Sequence, residues 1–156
     1  MSPRGESDAA ARVRRMLEEI LEAVGVDAAI EVTEDADGLQ ANLDGDDLGL
    51  LIGRHGQTID AIQHLAYRIA YRGDDTRKRV TVDAAGYRER RAVLLQQDAD
   101  EAVDEALRTG EPVALDAMNA VERRVVHEYL RDREGVETYS EGTEPDRYLV
   151  VAPVES

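Results

Sequence analysis

A chain of 156 residues with 42% hydrophobic content is long enough for one ordinary domain or two very small ones. It has no cysteine, which excludes a disulfide framework and a thiolate metal site, and no apolar run near the roughly 20 residues that cross a bilayer. The formal net charge of −15 argues against a general polyanion binder, and the opening MSPRGESDAA is no secretory signal, so a cytoplasmic protein without membrane insertion is expected.

Residues 1–7 read as disordered. From Asp8 to Val24 the apolar residues Val13, Met16, Leu17, Ile20, Leu21 and Val24 recur at helical spacing, and Gly25 is a stop signal. AAIEVTEDADGLQANLD reads as a hairpin: Ile30 and Val32 alternate with charges, Asp37-Gly38 supplies the turn, and Leu39, Ala41 and Leu43 alternate on the return. A short helical run with Leu48, Leu51 and Ile52 ends at Gly53. A second helix starts at once, with Ile59, Ile62, Leu65, Ala66, Ile69 and Ala70 as its buried stripe. Gly73-Asp74-Asp75 is a loop and KRVTVDA a strand. GYRERRAVLLQQDADEAVDEALRTG is a long helix, basic first and acidic later, closed by Gly110. EPVAL is a short strand. In the next helix, DAMNAVERRVVHEYLRDREG, a wheel places Met118, Val121, Val125 and Tyr129 on the buried face, widened by Val126 and Leu130. VETYSEG and RYLVVAP close the chain as two strands.

The charge is unevenly spread. Residues 47–91 carry 9 basic and 6 acidic side chains and form the only net positive stretch. In its middle stands Gly53-Arg54-His55-Gly56, between two helices. Glycine at both ends allows a tight reversal and close approach of another backbone. The helix that follows offers free amides and the positive end of its dipole, and Arg54 and His55 project from the tip. Such a loop favours a phosphodiester, with Arg54 the steadier contact because an imidazole is a cation only when protonated.

The order helix, hairpin, short helix, G-x-x-G, helix, strand, together with LIGRHGQTIDAIQHL, resembles a KH domain of the prokaryotic type. The resemblance implies a groove for about four unpaired nucleotides. It puts RNA contacts at Ile52, Gly53, Arg54, His55, Gly56, Gln57, Thr58 and Ile59, with Leu51 beside them and the strand edge from Arg79 to Thr81 opposite.

In NAVERRVVHEYL, Arg123 and His127 stand at i and i+4, neighbours on one helix and just off the edge of the wheel's apolar face. With the two strands that follow, this resembles the small domain family named for its Arg-x-x-x-His spacing and associated with single-stranded nucleic acid. The functional pair would be Arg123 and His127, with Arg124, Ser140 and Arg147 as neighbours. The two motifs in this order resemble the bacterial Jag family, the SpoIIIJ-associated proteins of KhpB/EloR type. Many members carry an extra N-terminal Jag domain; here the chain opens on the first KH helix, so that domain's functions are not carried over.

The expected fold is α+β: a type II KH domain over residues 8–84, a connecting helix over 85–110, and a small α/β Arg-x-x-x-His domain over 111–153. The resemblance implies a single-stranded RNA-binding protein acting in post-transcriptional control linked to cell elongation and envelope growth. Single-stranded DNA is the alternative ligand of the C-terminal module. A small separate KH-domain protein is the implied heterodimer partner, and a homodimer the alternative. The competing reading is a protein-interaction scaffold that dimerises through the KH domain and binds RNA weakly. An enzyme is disfavoured. Gln57-Thr58, not a Walker lysine, follows Gly56. His55, His64 and His127 form no set at metal spacing, and no Ser nucleophile has a motif around it. No catalytic residue, metal or cofactor is expected.

Overall fold

The computed structural model describes residues 5–74 and 78–155. Their contacts divide the chain into two compact units, Met1–Arg88 and Glu89–Ser156. Residues 1–4 of the segment expected to be disordered, and Asp75 of the expected loop, lie outside the described residues. Within that first segment, Glu6 pairs with Arg14 at 2.8 Å, and the Ser7 hydroxyl accepts from the Ala10 amide to cap the first helix.

In the first unit, α1 (Asp8–Val24) buries Val13, Leu17 and Leu21 and ends on Gly25 in the left-handed conformation. β1 (Ala29–Glu34) and β2 (Gly38–Asp44) form the antiparallel hairpin. The Asp35 carboxylate accepts from the Asp37 and Gly38 amides at the turn, at 2.8 and 3.1 Å. Gly38 is required by a neighbour as well, since a Cβ there would fall 2.0 Å from the Arg79 carbonyl oxygen. The chain crosses through α2 (Gly49–Ile52) and α3 (Gln57–Ala70) to β3 (Arg79–Ala84), which pairs parallel to β2, for a sheet order β1-β2-β3. One core joins Val13 and Leu17 of α1, Leu39, Ala41 and Leu43 of β2, Ile59 and Ile62 of α3, and Val80 and Val82 of β3. Leu65, expected in the α3 stripe, is 51% exposed. At about 100° per residue it lies roughly 60° from Ile62, on the side away from Ala66, Ile59 and Ala70.

In the second unit, Leu95, Ala99, Ala102, Val103 and Ala106 of α4 (Tyr87–Thr109) join Met118, Val126, Leu130, Leu149 and Val151 in a core of their own. The connecting helix of the sequence reading thus also supplies core. β4 (Val113–Ala114), α5 (Ala120–Leu130), β5 (Val136–Glu141) and β6 (Tyr148–Pro153) complete the unit, with sheet order β4-β6-β5 and antiparallel neighbours. α5 is rotated from the wheel's expectation. Val121 is 73% exposed, Val125 and Tyr129 are exposed too, and the buried face is Glu122, Arg123, Val126 and Leu130. Counting apolar residues alone misses this, because both buried charges have partners that make burial tolerable. Glu122 closes a capping box with Asn119 and takes Arg91 Nε at 2.8 Å. Arg123 donates to the Met118 carbonyl and to the Glu144 carboxylate. Among the described residues no helix is long and apolar enough to cross a membrane.

Candidate nucleic-acid interface

The loop between α2 and α3 is built by its glycines. Gly53 ends α2 by donating to the Gly49 carbonyl, with φ 73° and ψ 179°, a region nearly closed to other residues. A Cβ on Gly53 would meet Thr58 Oγ1 at 2.2 Å. His55 adopts φ 55° and ψ 27°, left-handed for a non-glycine residue, and this turns the tip. Gly56, also left-handed, is buried under Tyr87, whose ring and hydroxyl would lie 2.7 Å from an added Cβ. α3 then begins with no side chain capping its first turn, although its first amide, on Gln57, is taken by the Arg54 carbonyl.

Around this turn Arg54, Gln57 and Thr58 are exposed, while His55 and Ile52 are half-buried. Ile59 is fully buried and Leu51 nearly so, so their side chains support the loop from the core. Leu50 is 62% exposed and offers the apolar surface beside the loop that Leu51 was expected to give. A four-residue helix shows no periodicity from which to choose between adjacent leucines. His64 is exposed on α3.

β3 is an edge strand, but its outer edge is closed at Val82. The Val82 amide donates to Gln63 Oε1 at 3.0 Å, and Arg88 Nε donates to the Val82 carbonyl at 3.0 Å. Arg88 is held in turn by Asp60, Nη1 to Oδ1 at 2.8 Å. Gln63, Tyr87 and Arg88 are therefore structural members of this face that the motif did not name. Arg79 is exposed at the far end of the strand from Ala84, about 17 Å away at the rise of an extended chain. There it shares a recess with Asp35, Asp37 and Thr81.

In the second unit the Arg-x-x-x-His pair divides. Arg123 is 8% exposed and tied to Met118 and Glu144. His127 is exposed, and its Nδ1 is hydrogen-bonded to Thr138 Oγ1 on β5. Ser140 lies two residues further along the same face of β5, half-buried. Arg124 is exposed and 3.2 Å from Glu128, and Arg147 braces the β5–β6 turn through the Gly142 carbonyl at 2.8 Å. Thr138 was not legible as a partner, because a hydroxyl in a strand eleven residues from the histidine carries no local signal. Among the described residues no group of His, Asp and Glu is placed to hold a metal ion.

The family models divide the chain at nearly the same place. Residues 11–83 match the KH domain of KhpA/KhpB, and residues 94–153 match the domain named for the Arg-x-x-x-His spacing. The chain is similar to the RNA-binding protein KhpB of Clostridium symbiosum, 36% identical over 138 residues, 87% of this chain and 62% of that protein. The RNA-binding protein KhpB of Lactiplantibacillus plantarum is 37% identical over 161 residues, 97% of this chain and 50% of the relative. That of Bacillus subtilis is 33% identical over 138 residues, 87% and 66%. The chain thus spans about half to two thirds of the length of these relatives. The fold is α+β in both units, and the chain belongs to the family that joins a KhpA/KhpB-type KH domain to an Arg-x-x-x-His domain.

Proposed function

We propose that this chain is a single-stranded RNA-binding protein and not an enzyme. The observation that carries the reading is the Gly53–Gly56 turn. An exposed arginine, a helix start without a side-chain cap and exposed Leu50 meet there, a combination suited to phosphate on one side and bases on the other. The Arg-x-x-x-His module adds a second contact through His127, with Arg124 beside it paired to Glu128, and two linked weak sites gain through effective concentration. Single-stranded DNA is the other ligand to assay on that module. The names of the KhpB relatives support RNA as the ligand. A role in post-transcriptional control linked to cell elongation and envelope growth follows from family resemblance alone. The KH model's name points to KhpA, a small separate KH-domain protein, as the partner class. The exposed Leu65 supports an apolar protein contact on α3, to a partner or to a second copy.

The test is fluorescence anisotropy with a random single-stranded RNA pool over a salt series. Wild type is compared with Arg54→Asp/His55→Asp and, separately, with His127→Ala. The loop variant is expected to lose most of the affinity, with a shallower salt slope. Full binding by the loop variant would move the RNA site elsewhere. No binding by wild type at low salt would favour the scaffold reading.

A further inference from the structure

α5 and β5 meet at one polar contact, His127 Nδ1 with Thr138 Oγ1. β5 is an edge strand of its sheet, and Val136, Thr138 and Ser140 alternate along its inner face, the first buried and the other two half-buried. The imidazole therefore rests on the strand by one nitrogen, and the residue as a whole stays exposed. This arrangement bears on what the ring offers a ligand. A neutral imidazole has one donor nitrogen and one acceptor, while a hydroxyl fills either role by rotation. When the Thr138 hydroxyl donates to Nδ1, the ring hydrogen is on Nε2. When the ring is protonated, Nδ1–H donates to Thr138 Oγ1, and Nε2 still carries its hydrogen. A hydroxyl that donates to Nδ1 thus keeps Nε2 a donor in both states, whereas one that accepts from a neutral Nδ1–H ring would leave Nε2 bare. A donor is what phosphodiester oxygens, base carbonyls and ribose hydroxyls accept from, and a bare Nε2 would face those first two classes with a lone pair.

We propose that Thr138 is the positioning residue of the Arg-x-x-x-His contact. Through Nδ1 it orients the His127 ring and, by donating its hydroxyl hydrogen there, leaves Nε2 as the N–H donor presented to single-stranded nucleic acid. The inference rests on the reading of His127 as a nucleic-acid contact and assigns that contact its hydrogen-bond polarity. At other histidine sites too, the hydrogen bond made by one ring nitrogen sets the orientation of the ring and the state of the other nitrogen.

The test uses the full chain. Long-range proton–nitrogen correlation of the histidine rings reads the tautomer directly. Wild type and Thr138→Ser are expected to show His127 as the Nε2–H form, and Thr138→Val a mixture. Valine keeps the branched shape and strand preference of threonine, so the fold is retained while the hydroxyl goes. In anisotropy with a random RNA pool, Thr138→Val is expected to lose about fivefold, the scale of one hydrogen bond. His127→Ala should lose as much, the double variant no more than His127→Ala, and Thr138→Ser should bind like wild type. A wild-type Nδ1–H form would overturn the proposal. So would full binding by Thr138→Val beside a weakened His127→Ala. Full binding by His127→Ala would instead refute the contact at α5, and with it the role given to Thr138.

Discussion

Gly53→Ala is the sharpest perturbation of the loop. At φ 73° and ψ 179° the alanine backbone would sit in a region that costs about 1–3 kcal/mol. Its Cβ would also lie 2.2 Å from Thr58 Oγ1, 2.8 Å from Thr58 Cβ and 3.0 Å from the Thr58 amide. The hydroxyl can rotate away, but the amide belongs to the first turn of α3 and cannot. Relief therefore requires the turn to open, and the total loss should reach about 3 kcal/mol. Gly49→Ala is the matched control. Gly49 is the first residue of α2, and an added Cβ there meets nothing within 4 Å. Alanine should be neutral or gain up to about 1 kcal/mol. The assay is urea unfolding followed by amide signals of β1–β3, which reports the first unit by itself. With a slope of about 1–1.5 kcal/mol per molar for a unit of this size, the Gly53→Ala midpoint should fall by about 2 M. A Gly53→Ala midpoint equal to wild type would refute the claim that this turn requires glycine.

Other consequences concern the two motif residues of α5 and one buried phenol. Arg123→Met should destabilise the second unit by about 2 kcal/mol, since it removes a charge-assisted bond to Glu144 and a bond to the Met118 carbonyl. His127→Ala should stay within about 0.5 kcal/mol, as expected of a surface residue, and thermal unfolding of the two variants separates anchor from contact. Burial raises the Tyr71 phenol above its ordinary range, with Glu34, Asp74 and Asp35 adding to the effect. Because the folded pKa is the higher one, the unfolded chain ionises first. Tyr71 should cost the first unit nothing below about pH 10 and reduce its stability as pH rises above that, and Tyr71→Phe should remove that part of the loss. Absorbance titration of the phenols together with unfolding at pH 9 and pH 11 checks this.

Much of this fold was legible because its signals are local. The helical spacing of Val13, Leu17 and Leu21, the Asp37-Gly38 turn and the alternation in β2 each lie within one element. The Gly53–Gly56 loop was legible because two glycines between helices have a direct conformational meaning. What escaped depended on distant partners. α5 turns Val121 and Val125 outward because Arg91, thirty-one residues before Glu122, and Glu144, twenty-one residues after Arg123, make those two charges tolerable inside. The cover of Gly56 by Tyr87 and the closure of Val82 by Gln63 and Arg88 likewise join separate elements. Thr138 reaches His127 only because β5 packs beside α5.

The acidity that first argues against RNA has a structural resolution, since a phosphate responds to nearby uncompensated charge more than to the sum. Several arginines have carboxylate partners: Arg14 with Glu6, Arg15 with Glu19, Arg88 with Asp60, Arg124 with Glu128 and Arg133 with Asp100. Among the described residues Arg54 has no ion-pair partner, and it stands at the tip of the loop. Arg79 is exposed, yet Asp35 and Asp37 border its recess. Arg54→Ala should therefore lower the salt slope of RNA binding by about 0.7, the value for one released counterion on a single strand. Arg15→Ala, an equally large charge change on the paired and exposed face of α1, should leave slope and affinity unchanged, and Arg79→Ala should fall between them. Equal losses for all three would mean that RNA senses only the diffuse field of the chain, and the turn at Gly53–Gly56 would lose its claim to be the site.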